Sequence, residues 1–342
     1  MSPADDPKQN APRGRTKQSL LRLTTCAVVA AVGCSRPAAV DRPKVDERRR
    51  HEALTKIEAL GGVIPYSFLW FPGQEGSPYR TEVLDITLGA AWRGGNEGLA
   101  LLADVQEAYE LILDNPQITD DGLRRLSEMR QLGGLRLQST VATDEGLWHL
   151  KNVRGLQLLR LDGARVTDAG LAALRDHKLM WLWVTNRSGI TDAGLAHLAE
   201  MTSLFSLRLA GSQIQGPGLA HLVRLENLRE LVLARTQVDD EALVHLARLR
   251  RLRRLDLSGC RVRGPGLAQL TSLERLEELS LDETPLGDDG LPHLMQLDSL
   301  AVVSLAGTQV TDDGLESLLA MPHLKSVLLD DGRVYVVRPV DD

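Results

Sequence analysis

Leucine and other apolar residues recur along this chain with a period of 24 residues. In the stretch after Gly146, apolar residues from Leu147 to Val153 stand at helical spacing, and Leu159 and Leu161 then alternate as in a strand. Each unit therefore predicts a short helix, a loop, a short strand and a turn.

A small residue marks the same point of every unit, within a Thr-Asp-x-Gly-Leu motif or a variant of it. The positions are Gly98, Gly122, Gly146, Gly170, Gly194, Gly218, Ala242, Gly266, Gly290 and Gly314. One unit cannot bury its apolar face alone, so the units must stack. We therefore predict an α/β solenoid of ten units over residues 90–338, with parallel strands on the concave face and short helices on the convex face.

The polar residues of the motif are predicted to cap the helix that follows. In the unit of Gly170, side-chain oxygens of Thr167 and Asp168 would accept N–H groups of the first helical turn. Two units carry Gly-Pro-Gly instead, where proline suits the first turn. Ala242 indicates that this position needs a small residue more than a left-handed backbone.

Each unit resembles a leucine-rich repeat. Its motif is L-x-x-L-x-L, followed by a small or polar residue and then by V/I-T-D-x-G-L. Its spacing is similar to the ribonuclease-inhibitor-like and cysteine-containing subclasses and to bacterial GALA repeats. The usual asparagine is replaced by Thr140, Ala164, Ser188, Ser212, Thr236, Cys260, Thr284 and Thr308. The resemblance covers about residues 85–335 and implies a binding module without shared catalytic residues.

The N-terminus has the pattern of a secretory signal. Basic residues over 1–22 precede an apolar run, Leu23–Gly33, that is shorter than the roughly 20 residues of a membrane-spanning helix. The run ends at Cys34 in a sequence that resembles a bacterial lipobox, which implies lipidation of Cys34 after cleavage. Ser35, in place of aspartate, favours the outer membrane by the same resemblance. A plain secretory signal, an uncleaved anchor or no targeting are the alternatives.

The organisation predicted from these patterns has four parts. They are a signal peptide (1–33), a flexible tether (34–50), an N-terminal cap with the first strand (51–89) and the repeats (90–338). The first strand lies 25 residues, rather than 24, before its counterpart at Leu111–Leu113. A final strand is predicted at Val334–Val337, where it would close the stack.

Charge and cysteine content narrow the possible functions. The chain has a net charge of −6, and residues 1–33 hold five basic and two acidic side chains, so cleavage would leave 35 basic and 44 acidic groups, a net −9. An acidic chain of this kind is a poor nucleic-acid binder. Cys260 alone would remain unmodified, which predicts a small packing residue and excludes a disulfide framework.

No catalytic, cofactor or metal motif emerges from the sequence. A column of histidines recurs at His149, His197, His221, His245 and His293. No cysteine or carboxylate recurs beside them at ligand spacing, so we interpret the column as solvated polar residues. Neither a G-x-S-x-G motif nor a phosphate-binding loop is present.

One unit is irregular in its strand. In strict phase, Trp183 and Thr185 would face the core. A shift of one residue would bury Leu182 and Val184 instead and turn Trp181, Trp183 and Thr185 to the concave face. The shift is favoured because it avoids a threonine in a leucine position, and the alternative is that the tryptophans only fill space.

The concave face is the predicted binding surface. Exposed tryptophan with arginine at its rim resembles the hot spot of a protein interface. The candidate partner-binding residues are Arg136, Leu158, Arg160, Trp181, Trp183, Thr185 and Arg208. A separate acidic zone is predicted from Glu230, Asp256, Glu278, Asp282 and Glu283.

A stretch rich in arginine follows one helix. It comprises Arg248, Arg250, Arg251, Arg253 and Arg254, with Arg261 and Arg263 beyond. We interpret it as a complement to the helix dipole and a solvated loop. Acidic residues of the preceding repeat, Glu226, Glu230, Asp239, Asp240 and Glu241, would balance it. The alternative is a contact with an anion or an acidic lipid.

These observations predict a monomeric, non-enzymatic module that binds a protein or glycan partner on its concave face. It would be an outer-membrane lipoprotein facing the periplasm or the exterior, or alternatively a secreted protein. Two other functions stay open: an adaptor resembling the F-box substrate receptors of ubiquitin ligases, and a purely structural spacer of the envelope.

Overall fold

The computed structural model describes residues 46–69, 81–129, 131–185, 189–329 and 334–336. The predicted signal peptide, Cys34 and most of the predicted tether lie outside these residues. The chain divides into two units: Met1–Pro43 with Phe68–Glu82, and Lys44–Ser67 with Val83–Asp342. The second unit carries the repeats. In the described ranges, no helix combines the length and the apolar character needed to cross a membrane.

Short strands recur at the predicted spacing. They are β1 (Tyr66–Leu69), β2 (Thr81–Leu88), β3 (Ala108–Asp114), β4 (Gly134–Gln138), β5 (Leu158–Asp162), β6 (Trp181–Thr185), β7 (Ser206–Arg208), β8 (Glu230–Val232), β9 (Arg254–Asp256), β10 (Glu278–Ser280), β11 (Val302–Ser304), β12 (Ser326–Leu328) and β13 (Val334–Val336).

Helices alternate with these strands and are one or two turns long in the repeats. The α-helices are Glu47–Ala59, Gly95–Gly98, Asp120–Arg125, Asp144–His149, Asp168–Leu174, Asp192–Leu195, Leu291–Leu294 and Asp312–Leu319. The 3₁₀-helices are Leu99–Asp104, Leu126–Glu128, Leu150–Asn152, Ala196–Leu198, Pro217–Arg224, Glu241–Leu246, Pro265–Ser272 and Asp288–Gly290. The helix Glu47–Ala59 begins inside the predicted tether, and Asp46 caps it by accepting the N–H groups of Arg48 and Arg49.

Strands β2 to β12 are parallel and follow one another in chain order, as the α/β solenoid predicts. Ile86 pairs with Leu111, which confirms the offset of 25 residues, and a register shift between Leu84 and Asp85 accommodates the extra residue. At the other end β13 pairs antiparallel with β12, at the place of the predicted final strand.

The aspartate of the motif accepts hydrogen bonds from the next unit. The prediction that it caps its own helix is therefore wrong. Asp168 accepts the Thr191 N–H at 2.8 Å and the Thr191 hydroxyl at 2.7 Å. Thr191 does cap its own helix, since its hydroxyl oxygen accepts the Ala193 N–H at 3.2 Å. The same aspartate bonds join Asp120 to Thr143, Asp144 to Thr167 and Asp288 to Thr311. The aspartate therefore stabilises the stacking of units.

The motif's glycine makes room for that aspartate. A Cβ at Gly194 would lie 2.1 Å from Oδ1 of Asp168, well inside van der Waals contact. The unit of Ala242 is the one in which alanine replaces this glycine. The preceding unit has Gly216 at the position of the aspartate, so no carboxylate lies against the methyl group of Ala242. The prediction of a small residue at this position is thus explained by the neighbouring unit.

Candidate functional site

The irregular strand β6 is shifted by one residue, as the sequence favoured. Leu182 and Val184 are fully buried and continue the core rows of the neighbouring strands. Trp181, Trp183 and Thr185 consequently lie on the opposite face of the sheet. Threonine in the core would have left a hydroxyl among leucines, which explains the shift.

The candidate residues come together on four adjacent strands. Arg136, Arg160, Trp183 and Arg208 are register partners across β4 to β7, so they form one row. Strands lie about 4.8 Å apart, which makes this row roughly 14 Å long. Leu158 pairs with Trp181 in the row beside it. We call the side chains of these two rows, with Thr185, the strand-face patch.

The tryptophans of the patch are not exposed, contrary to our expectation. Trp181 is 6% and Trp183 7% accessible to solvent. Guanidinium groups cover Trp183: Cζ of Arg208 lies 4.3 Å and Cζ of Arg160 5.7 Å from its ring centroid. The indole N–H is also satisfied, because it donates to the Ser206 hydroxyl at 2.9 Å. The surface is therefore a charged layer over an aromatic floor.

Trp181 packs against a residue that the sequence analysis missed. The rings of Trp181 and Phe205 are 6.4 Å apart at 56°, a tilted arrangement. Cζ of Arg229 lies 4.8 Å from the Phe205 centroid. Phe205 directly precedes β7, and its large apolar side chain in front of a strand was the available signal.

Each arginine of the patch has an acidic partner. Arg136 pairs with Glu110, and Arg160 pairs with Asp162, which also accepts a hydrogen bond from the Thr185 hydroxyl. These partners were not predicted, although cross-strand pairing of opposite charges could have indicated Glu110.

The predicted acidic zone is not separate from the arginines. Glu230 pairs with Arg208 at 2.7 Å and faces Arg254 at 3.8 Å. Arg254 in turn pairs with Glu278 at 2.6 Å. Burial lowers the pKa of Arg254, but the hydrogen bond to Glu278 and the nearby carboxylates raise it overall. Ion pairs thus run across β7 to β10 as a ladder of alternating charge.

The other acidic residues of that zone are also engaged. Asp282 accepts the Ser304 hydroxyl and the Ala306 N–H, and Glu283 faces Arg235 at 3.7 Å. Asp256 accepts the Ser258 N–H at 2.9 Å. These contacts hold turns and neighbouring strands together.

The remaining chemical candidates behave as packing or surface residues. Cys260 is buried, and burial raises the pKa of its thiol. Its Sγ donates to the Leu233 carbonyl at 3.1 Å, in agreement with a packing role. Within the ranges that the structure describes, no three metal-ligating side chains approach closely enough to hold an ion.

Comparison with known proteins agrees with this architecture. A family model described as Leucine Rich repeat matches residues 249–270. The solved structure of an internalin (inlF) from Listeria monocytogenes aligns with a TM-score of 0.53 at 22% identity, over 67% of this chain and 63% of that one. The chain is a leucine-rich repeat protein.

Two further structures resemble this leucine-rich repeat protein less closely in overall superposition. An internalin C2 (inlC2) of the same species has 25% identity and a TM-score of 0.41, over 62% of this chain and 75% of that one. A TDR receptor has 15% identity and a TM-score of 0.48, over 67% of this chain and 40% of that one. No curated protein matches the sequence. The repeat protein thus spans less than two thirds of the inlF internalin and of the TDR receptor.

Proposed function

We propose that this leucine-rich repeat protein is a non-enzymatic module that binds a protein or glycan partner against the strand-face patch. The observation that carries the proposal is the row of Arg136, Arg160 and Arg208 beside Trp183 on four adjacent strands. Side chains aligned on neighbouring strands are held in place by the sheet, so a partner meets a preorganised surface.

The arginines keep binding capacity in spite of their ion pairs. A guanidinium has five N–H donors, of which a carboxylate engages at most two in a bidentate pair. Arg208 donates to Glu230 through Nη2. The side chains of Arg136, Arg160 and Arg208 remain 24%, 33% and 29% exposed. Carbonyl or carboxylate oxygens of a partner would complete these donors.

The test is affinity capture from the detergent-solubilised envelope of the native organism, with the full chain as bait. The variant is Arg136→Gln, Arg160→Gln, Arg208→Gln, which removes the charged layer and keeps the aromatic floor. We avoid substituting Trp181 or Trp183, because both are buried and their loss would disturb packing. We expect a partner held by the native chain to be lost by this variant.

A matched control removes equal charge elsewhere. Arg124→Gln, Arg154→Gln, Arg175→Gln changes three exposed arginines outside the strand face. The control should retain the partner, and circular dichroism should show all three proteins folded. Equal retention by native chain and patch variant would eliminate the strand-face patch as the binding surface.

We infer in addition that the module is held in the bacterial envelope by lipid on Cys34. The basic segment, the short apolar run and the lipobox-like sequence support this inference. Metabolic labelling with palmitate should mark the native chain but not Cys34→Ser, which should also leave the membrane fraction. Label on both proteins, or on neither, would contradict lipidation at Cys34.

A further inference from the structure

The loops that lead into β8 and β9, with Arg275 of the loop before β10, bring a group of arginines together. This group, here called the basic edge, comprises Arg229, Arg248, Arg250, Arg251, Arg253 and Arg275. A cavity of about 540 Å³ opens between the two loops, lined by Val223, Glu226, Arg248, Arg250 and Arg251. Three arginines and one glutamate therefore line the same space.

Most of these arginines have no carboxylate partner among the residues that the structure describes. Arg253 pairs with Glu277 at 3.0 Å, but Arg251 donates only to the Asn227 amide oxygen at 2.9 Å. In the described part of the chain, the side chains of Arg248 and Arg250 make neither a hydrogen bond nor an ion pair.

Like charges at this edge act on one another. Partial burial lowers the pKa of Arg229, and the charges of Arg253, Arg251 and Arg275 lower it further. The arginines therefore repel each other in the folded protein, and an anion placed among them would relieve this repulsion.

The acidic residues expected to balance the stretch are used elsewhere. Asp240 accepts the N–H groups of Arg263, Gly264 and Gly266 in the next unit. Glu230 lies on the strand face, where it pairs with Arg208. The predicted charge balance is therefore only partial at the cavity, where Glu226 lies with Arg248, Arg250 and Arg251.

A helix dipole also fails to explain them. The preceding 3₁₀-helix, Glu241–Leu246, is short, and its dipole acts only within the last turn. Arg250 and Arg251 lie four and five residues beyond its end. They contribute nothing to that helix terminus, yet they line a cavity at the surface.

We propose that the basic edge is a binding site for a phosphate ester. Guanidinium groups present planar N–H forks that match phosphate oxygens, and several of them converging on one cavity favour a group with more than one negative charge. The volume suits a phosphorylated sugar or a lipid headgroup. The arginines that line the cavity lie in the helix-to-strand loops and are not members of the strand-face patch. This proposal and the proposed function are therefore tested by different variants.

The test measures binding of inositol hexakisphosphate to the full chain by isothermal titration calorimetry. Arg248→Gln, Arg250→Gln, Arg251→Gln is compared with the control Arg124→Gln, Arg154→Gln, Arg175→Gln, which has the same net charge. The edge variant should bind at least about tenfold more weakly, since it loses several charge-assisted hydrogen bonds. The control should stay within about twofold, because distant exposed charges are screened by salt.

A second arm separates the source of the phosphate. Vesicles of phosphatidic acid in phosphatidylcholine are sedimented with the same three proteins, because the phosphate monoester of phosphatidic acid can carry two negative charges. If the edge variant loses vesicle binding and the control keeps it, the ligand is a lipid headgroup. If the edge variant loses binding only in calorimetry, the ligand is a soluble ester. Either result supports the site. No binding by the native chain in either arm, or equal binding by the edge variant and the control in both arms, would overturn it.

Discussion

Replacing Gly194 with alanine would place a methyl group against the carboxylate of the preceding unit. The new Cβ would lie 2.1 Å from Oδ1 and 2.9 Å from Cγ of Asp168, and the next atom, Cδ1 of Leu171, would be 3.3 Å away. The clash is therefore almost confined to one side chain. That side chain also accepts the two hydrogen bonds from Thr191 that join the units.

The expected magnitudes follow from these contacts. Overpacking costs about 1–3 kcal/mol, whereas alanine in place of glycine in a helix gains up to about 1 kcal/mol. Gly194→Ala should therefore destabilise the protein by about 1–2 kcal/mol. Asp168→Ala should cost about 1–3 kcal/mol through its lost hydrogen bonds. With Asp168 already replaced, Gly194→Ala should be neutral or stabilising by up to about 1 kcal/mol.

The assay is urea unfolding followed by circular dichroism for the native chain, the two single variants and the double variant. The coupling between the two positions should be about 1–3 kcal/mol. Ala242→Gly is the control, because the preceding unit has Gly216 and no carboxylate there, so only the loss in helix propensity of about 0.5–1 kcal/mol is expected. A cost of Gly194→Ala that is equal in both backgrounds would refute the reasoning.

Three further measurements test the packing and the electrostatics. Hydrogen bonds from the Thr311 hydroxyl and N–H lower the pKa of Asp288. The stability that Asp288 contributes is therefore complete above its unfolded pKa of about 3.9 and is lost as the pH falls through its folded pKa. Between pH 4 and pH 2 the free energy of unfolding should fall more steeply for the native chain than for Asp288→Asn, and equal slopes would argue against the hydrogen bonds to Thr311. Cys260, buried and with a raised thiol pKa, should be alkylated only as fast as the protein opens, as followed by mass spectrometry, and rapid labelling without urea would contradict its burial. Arg208→Met should lower the free energy of unfolding, measured in urea, by about 1–3 kcal/mol, because Arg208 both covers Trp183 and binds a carboxylate. A loss below about 0.5 kcal/mol would show that the ion-pair ladder adds little stability.

The architecture of the repeats follows from the order of the residues alone. A period of 24 residues with apolar positions at helical and then alternating spacing specifies a helix and a strand in each unit. Because these signals are local and repeated, the stacking order, the shifted strand at Leu182 and Val184 and the place of the final strand could all be predicted.

The contacts between side chains of different units depend on how the repeats stack. Asp168 stands at the start of its own helix, where its carboxylate could cap that helix. The carboxylate instead accepts hydrogen bonds from Thr191 in the next unit. Trp183 lies on the predicted face, but its exposure depends on the arginines of both neighbouring strands. That Arg248 and Arg250 make no ion pair with the described residues likewise depends on where the stacked repeats place their neighbours. The spacing of residues along the chain determines the face on which a side chain lies. The residue that it contacts depends on side-chain rotamers and on distances between units, which are set only when the repeats stack.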